Sequence, residues 1–229
     1  METPAGTPMR LFILGATGRT GRALLDQATQ RGHSVTAFVR SPEKLTDLRD
    51  RVAIRKGDPR SVDELEATLP GHDAVLSALG LPGLGRSTIL SDAAHATVRA
   101  MQTAGVRRLL VVSVGMLFDD AGIVAAILRR TILRNIARDS AEMERIVESS
   151  SLDWTIARPP QLTNGPLTRN YVVADGRVPE GARLSMSRAD VAHFLLKEVE
   201  RPAHVHCIVG LASMKATRRM AVTNQTQST

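Results

Sequence analysis

Apolar residues along this chain fall in short unbroken runs separated by stretches of helical spacing. Leu11-Phe12-Ile13-Leu14 is the first run and predicts a strand, followed by a helix ending near Gly32. His33 to Val39 and Val52 to Lys56 predict the second and third strands, Val62 to Leu69 a helix, and Ala74 to Leu79 a fourth strand. Ser87 to Gly105 predicts a helix closing on glycine, and Arg108 to Val114 a fifth strand. Asp153 to Arg158 is the sixth, stopped by Pro159-Pro160. Tyr171 to Val173, a helix from about Arg188 to Glu200, and a last strand across Val205 to Val209 complete the series. Strands that are apolar throughout are buried on both faces. Their alternation with helices predicts an α/β fold, a doubly wound parallel sheet with a small C-terminal extension, and places ligands at the carboxyl ends of the strands.

Between Leu117 and Ser151 the spacing is helical, with Ile123, Ile127, Ile132 and Ile136 among arginines at 129, 130, 134 and 138. This predicts an amphipathic helix or helix pair packed on the sheet; a mobile cover over an apolar substrate and a membrane-surface helix are the other readings. With 229 residues, 43% hydrophobic, the chain can bury one sizeable core. We expect one domain over residues 10–211, with a disordered leader at 1–9 and a disordered polar tail at 212–229. Cys207 stands alone, which excludes a disulfide framework or a cysteine metal cluster and fits a reducing cytosol. No run approaches the roughly 20 apolar residues that span a bilayer, so a cytoplasmic protein without a membrane partner is expected. The net charge of +7 does not single out nucleic acid: the arginines are scattered, and one Trp, one Tyr and four Phe supply few stacking platforms.

The first strand runs into Gly15-Ala16-Thr17-Gly18-Arg19-Thr20-Gly21. A sharp turn off a strand needs Gly15, close approach of a phosphate favours Gly18, and tight packing of helix on sheet favours Gly21. The helix start then offers unpaired N–H groups to a pyrophosphate. In such dinucleotide sites an acid about 20 residues on binds the ribose 2′-hydroxyl. Here Arg40 ends the second strand and Lys44 follows one turn later, which favours a 2′-phosphate and hence NADP. Asp58 is placed either to meet the adenine or to form its own turn. Gly80 would let the cofactor approach the main chain, or serves only its loop.

Taken with Val39-Arg40, Gly57-Asp58, Ser113, Leu152-Asp153-Trp154-Thr155-Ile156-Ala157-Arg158-Pro159 and Ser187-Arg188-Ala189-Asp190-Val191-Ala192, this turn resembles one family. The chain is similar, from about Arg10 to Ala212, to the atypical short-chain dehydrogenase/reductases with a Rossmann NAD(P)H-binding domain, and within them to the biliverdin-IXβ (flavin) reductase group. The resemblance implies NADPH along the strand ends and hydride delivered to a flavin, bilin or comparable flat acceptor, a small molecule, by a protein expected to be a monomer. It implies that Thr17, Arg19 and Thr20 hold the pyrophosphate region and Arg40 and Lys44 the 2′-phosphate. Leu79, Gly80, Pro159 and Gln161 would border the cofactor, with Ser113 beside nicotinamide and substrate. The chain departs from the mammalian pattern at Gln161, which replaces a histidine, and in lacking histidines around Ser140 to Glu144.

Short-chain dehydrogenases that reduce ketones use Tyr-x-x-x-Lys, the lysine lowering the tyrosine pKa. This chain cannot: four residues after Tyr171 comes Asp175, and no lysine lies between Lys56 and Lys197. Acceptors whose proton comes from water are favoured. Ser113 is the candidate catalytic residue, orienting the acceptor or relaying that proton, with a backbone-bonded buried serine as the alternative. His204 and His206 would share one strand face without a third ligand, so no metal site is expected. His95 and His193 read as surface or packing residues, and Asp139, Glu142 and Glu144 as a solvated helix face. A non-catalytic NADP-binding regulator similar to the NmrA-like redox sensors, or an isomerase or epimerase, would use the same fold.

Overall fold

The computed structural model describes residues 7–214 apart from positions 82, 132, 182 and 184. Strand β1 (Arg10–Leu14) lies between β2 (Ser34–Val39) and β4 (Ala74–Ser77). Beyond β2 the sheet ends at β3 (Ala53–Lys56). Beyond β4 it continues through β5 (Arg108–Val112), β6 (Asp153–Arg158), β10 (Cys207–Ser213) and β8 (Tyr171–Asp175). All of these pairings are parallel except the last, where β8 runs antiparallel to β10. This is the doubly wound α/β sheet that the pattern predicts. Its strand order reverses at β1 and β4.

Helices α1 (Arg19–Gln30) and α6 (Arg188–Glu200) cover one face of the sheet; α2 (Val62–Thr68), α3 (Ile89–Ala104) and α5 (Arg134–Glu148) cover the other. Alternation along β1 divides its side chains between them. Leu11 and Ile13 pack with α1 and α6, Phe12 and Leu14 with the opposite helices, and none of the four is more than 1% exposed. Each such burial contributes about 1.5–3 kcal/mol, which fixes the register of the central strand.

The segment expected to be helical from 117 to 151 divides. After short 3-10 turns at Gly115–Leu117 and Asp119–Ala121 come α4 (Ile123–Arg130) and α5. Only α5 packs on the body of the fold, burying Ala137, Met143 and Val147; on α4, Ile123 is 80% exposed and Val124 72%. The solvated acidic face expected on α5 needs correction. Asp139 is buried, accepting from the Leu90 and Ser91 N–H groups at 3.1 and 3.0 Å and from the Ser91 hydroxyl at 2.7 Å. It caps α3, whose own flanking Thr88 supplies no side-chain cap. Glu144 is also buried, gripped by the Arg158 guanidinium, and only Glu142 remains on the surface, paired with Arg145.

Two short strands escape the periodic pattern. β7 (Gln161–Thr163) and β9 (Ser185–Ser187) pair in parallel as a separate ribbon. Three residues each are too few to show a period of two. The last strand starts two residues later than expected and runs through Ala212 and Ser213, which pair with Val172 and Tyr171. The sheet therefore extends past residue 211, while residues 1–6 of the expected leader and 215–229 of the expected tail lie outside the described residues. No helix among the described residues is long and apolar enough to cross a membrane.

Candidate functional site

The turn from β1 into α1 closes on its own backbone. Gly15 has φ +74°, and a Cβ there would stand 2.5 Å from the Ala78 carbonyl oxygen, just beyond β4. A Cβ at Gly21 would stand 2.2 Å from the Gly15 carbonyl oxygen, so α1 sits as close as it does only because that position has no side chain. At Gly18 the nearest atom is 3.2 Å away. Gly18 donates its N–H to Gly15 O at 2.9 Å and caps α1 without a side-chain bond, and no acid lies in the first turn. The helix start thus keeps its N–H donors and partial positive charge for a ligand at the reversal point of the sheet. Thr17 is half-buried here, Arg19 exposed and Thr20 buried.

Arg40 is exposed just past β2, and Lys44 is exposed in the following 3-10 segment (Pro42–Leu48). Among the described residues no carboxylate lies within ion-pair distance of either, whereas Arg22 beside them is paired with Asp47 at 2.8 Å. Asp58 forms its own turn. Its carboxylate accepts from the Arg60 N–H at 3.0 Å and pairs with the Arg60 guanidinium at 2.6 Å; that contact, with a further contribution from Arg40, holds the carboxyl below its usual range. A groove of about 490 Å³ bordered by Asp58, Arg60, Asp92 and His95 opens between α2 and α3. Leu79, half-buried, and Gly80, exposed with open space where a Cβ would be, follow β4.

At the ends of β5 and β6 two loops are joined. Ser113 donates its N–H to Ala157 O and Gly115 to Pro159 O, both at 2.8 Å. A Cβ at Gly115 would stand 2.8 Å from that same oxygen. Below them the Arg158 guanidinium lies 4.6 Å from the centre of the Phe118 ring. Ser113 is 6% exposed and its hydroxyl has no hydrogen-bond partner among the described residues, so the backbone-bonded alternative for its side chain is not the one observed. Gln161 is exposed where β7 begins. The fold therefore brings Ser113 beside the Pro159 loop, and the glycine turn beside Ala78 and Leu79. Both pairs sit at carboxyl ends of strands.

Other polar candidates are committed elsewhere. Tyr171, on the edge strand, shares a 2.8 Å hydrogen bond with His193 Nδ1. Burial pushes the phenol up to about 12 and the imidazole down to about 4. His204 and His206 do not share a strand face, because both precede β10: His204 Nδ1 meets Glu198 at 2.9 Å, and His206 turns away at φ +55° to the Leu152 carbonyl.

Sequence reasoning left Asp190 and Arg188 without a role. Asp190 is fully buried and accepts from the Thr168 and Arg169 N–H groups and the Thr168 and Ser187 hydroxyls at 2.8–2.9 Å. Burial opposes its charge, but these bonds outweigh it and hold the carboxyl below its usual range. Ser187-x-x-Asp190 carried the signal, since a serine three residues before an acid at a helix start reads as a capping box. Arg188 donates to Leu162 O at 3.1 Å and Asn164 Oδ1 at 2.8 Å, tying α6 to the β7 side of the ribbon.

Comparison with known proteins places this geometry. YwnB, an uncharacterised protein of Bacillus subtilis, is 30% identical over 207 residues, covering 86% of this chain and 94% of its own. A putative NAD-dependent epimerase/dehydratase from Bacillus halodurans superposes with a TM-score of 0.75 at 27% identity, over 90% of this chain and 94% of that one. A short-chain dehydrogenase/reductase from Veillonella parvula, solved in complex with NADP, shares the fold with a TM-score of 0.74 at 18% identity, over 90% and 94%. Residues 15–202, from the first glycine of the turn to just past the end of α6, match the NAD(P)H-binding family, and the chain belongs to it.

Proposed function

We propose that this protein is an NADPH-dependent oxidoreductase that reduces a flat conjugated acceptor such as a flavin, a bilin or a quinone. The observation that carries the reading is the pairing of a nucleotide-type glycine turn with a strand-end site that has a buried unpartnered hydroxyl, Ser113, and no tyrosine acid. The sole tyrosine is bound to His193, with a phenol too weakly acidic to serve as the tuned acid of carbonyl reduction. NADPH, when bound, supplies the hydride. The acceptor's proton would come from solvent rather than from a tyrosine.

The chain's own residues bind and orient. Gly15, Thr17, Gly18, Arg19, Thr20 and Gly21 would hold the pyrophosphate, and the unpaired cations Arg40 and Lys44 the 2′-phosphate. Leu79, Gly80, Pro159 and Gln161 would border the cofactor. The adenine would lie against the Asp58 loop, whose carboxylate is already taken by Arg60. Ser113 would direct its hydroxyl to the acceptor, so the protein contributes proximity and a partly apolar site.

Following NADPH absorbance with purified protein against FMN, FAD, biliverdin and simple quinones tests this, with acceptor-dependent oxidation expected. Tight NADPH binding without turnover on the whole panel would favour a second reading, an NADP-binding regulator. The exposed Ile123, Val124 and Ile127 on α4 supply a surface for such a partner.

A further inference from the structure

Helix α4 stands out from the body of the fold. It meets α5 at the corner 131–133, where the Thr131 and Leu133 N–H groups both donate to Leu128 O, at 3.3 and 2.9 Å. Ile123, Val124 and Ile127 occupy positions i, i+1 and i+4, on one side of the helix, and are 80%, 72% and 56% exposed. Leu84, 53% exposed, lies beside the corner, because the Asn135 side chain in the first turn of α5 donates to its carbonyl at 3.0 Å. Four large aliphatic side chains thus face water on one shoulder of the molecule, and a covering apolar phase would remove that cost.

Charge decides which phase. Arg130 continues the apolar stripe three residues after Ile127, and Arg134 and Arg138 follow one turn apart at the start of α5. All three are exposed, and among the described residues no carboxylate lies within ion-pair distance of any of them. Of the acids that flank them, Asp120 accepts from the Val178 N–H at 3.1 Å, Asp139 caps α3 and Glu142 pairs with Arg145. An aliphatic patch bordered by unpaired arginines is complementary to a surface that is apolar within and anionic at its rim, which is an anionic lipid bilayer. A folded acidic partner fits less well: the four side chains protrude, and none is an aromatic anchor of the kind that seats in a protein pocket, whereas acyl chains close around any protruding shape.

We infer that the α4 shoulder docks on an anionic lipid surface, with Ile123, Val124, Ile127 and Leu84 entering the headgroup boundary and Arg130, Arg134 and Arg138 meeting lipid phosphates. A helix used in this way lies on the bilayer, so its eight residues need not reach across. The expectation of a protein without a membrane partner followed from the lack of a spanning run, which does not bear on surface attachment. The inference stands apart from the proposed function, since it concerns neither the coenzyme nor the acceptor.

The test is co-sedimentation of the full chain with phosphatidylcholine vesicles and with vesicles rich in phosphatidylglycerol, in low and in physiological salt. Wild type is expected to sediment with the anionic vesicles and to be released as salt rises. Ile123→Asp and Ile127→Asp should each weaken binding about tenfold or more, since each takes an apolar side chain out of lipid and adds a repelled charge. Arg130→Gln and Arg134→Gln should each cost about fivefold, the effect of one cation near an anionic surface. All four positions are exposed, and unchanged thermal midpoints show that the variants fold. Arg201→Gln, which removes an exposed arginine just past α6 on the face of the sheet opposite α5, is the control and should bind as wild type does. Wild type that ignores anionic vesicles overturns the inference and leaves the shoulder to a protein partner. Binding that survives both isoleucine variants, or a loss in Arg201→Gln equal to that in Arg134→Gln, also overturns it, because either result traces attachment to the net charge of +7 rather than to α4.

Discussion

In the proposed reading Arg40 meets the 2′-phosphate, and among the described residues it is unpaired in a neighbourhood whose Arg22 and Arg60 both have carboxylates. Arg40→Asp is expected to weaken NADPH binding about tenfold to hundredfold while leaving NADH little changed, measured by titration. Equal loss for both cofactors would move the 2′-phosphate elsewhere. Ser113→Ala should keep NADPH affinity and lower turnover with the acceptor; full turnover in that variant would reduce Ser113 to a packing residue. The placement of both residues was legible in the sequence, because each follows directly on an apolar strand. Asp139 and Glu144 were not. Their partners lie 48 and 49 residues away for Asp139 and 14 away for Glu144, so a spacing that looks like a solvated helix face hides two buried acids.

Among elements, the β1–α1 turn was the most readable because its three glycines answer separate steric demands. Gly21→Ala would place a Cβ 2.2 Å from backbone, and is expected to destabilise the fold by about 1–3 kcal/mol or more in urea unfolding. Gly18→Ala, with its nearest neighbour at 3.2 Å, should cost less stability than Gly21→Ala and act on nucleotide affinity. Removing the carboxylate that caps α3, by Asp139→Ala, should cost about 1–3 kcal/mol and fray the start of α3 in hydrogen exchange. The division of the 117–151 stretch was less readable, because α4 and α5 share one apolar-and-arginine spacing. What separates them is a tertiary fact: α5 has α3 to pack on, and α4 exposes its isoleucines. The ribbon strands were invisible for want of length, and β10 was displaced because Val205 reads as apolar yet precedes the strand.

For the molecule as a whole, stability carries a pH signature away from the candidate site. His193 is held neutral by burial, with Arg31, Arg169 and Lys197 acting in the same direction and Asp190 against them, so its pKa falls from 6.5 to about 4. Between those values the unfolded chain takes up a proton that the folded one refuses. This contribution is therefore fully present above pH 6.5 and is lost as pH falls toward 4. Thermal midpoints should drop across that window in wild type and drop less in His193→Gln; parallel curves would remove His193 from the account. The sheet order also separates two parts of the molecule. Cys207 of β10 pairs with Thr155 of β6, so the sheet passes directly from β6 to β10, and β8 joins it only at its edge. Positions 159–187 thus form an excursion planted between two fixed posts, Arg158 and Arg188. On the proposed function, grafting positions 162–187 of that excursion from one family member to another should change acceptor preference in NADPH-oxidation assays while leaving coenzyme affinity as it was, which would make acceptor identity an exchangeable part.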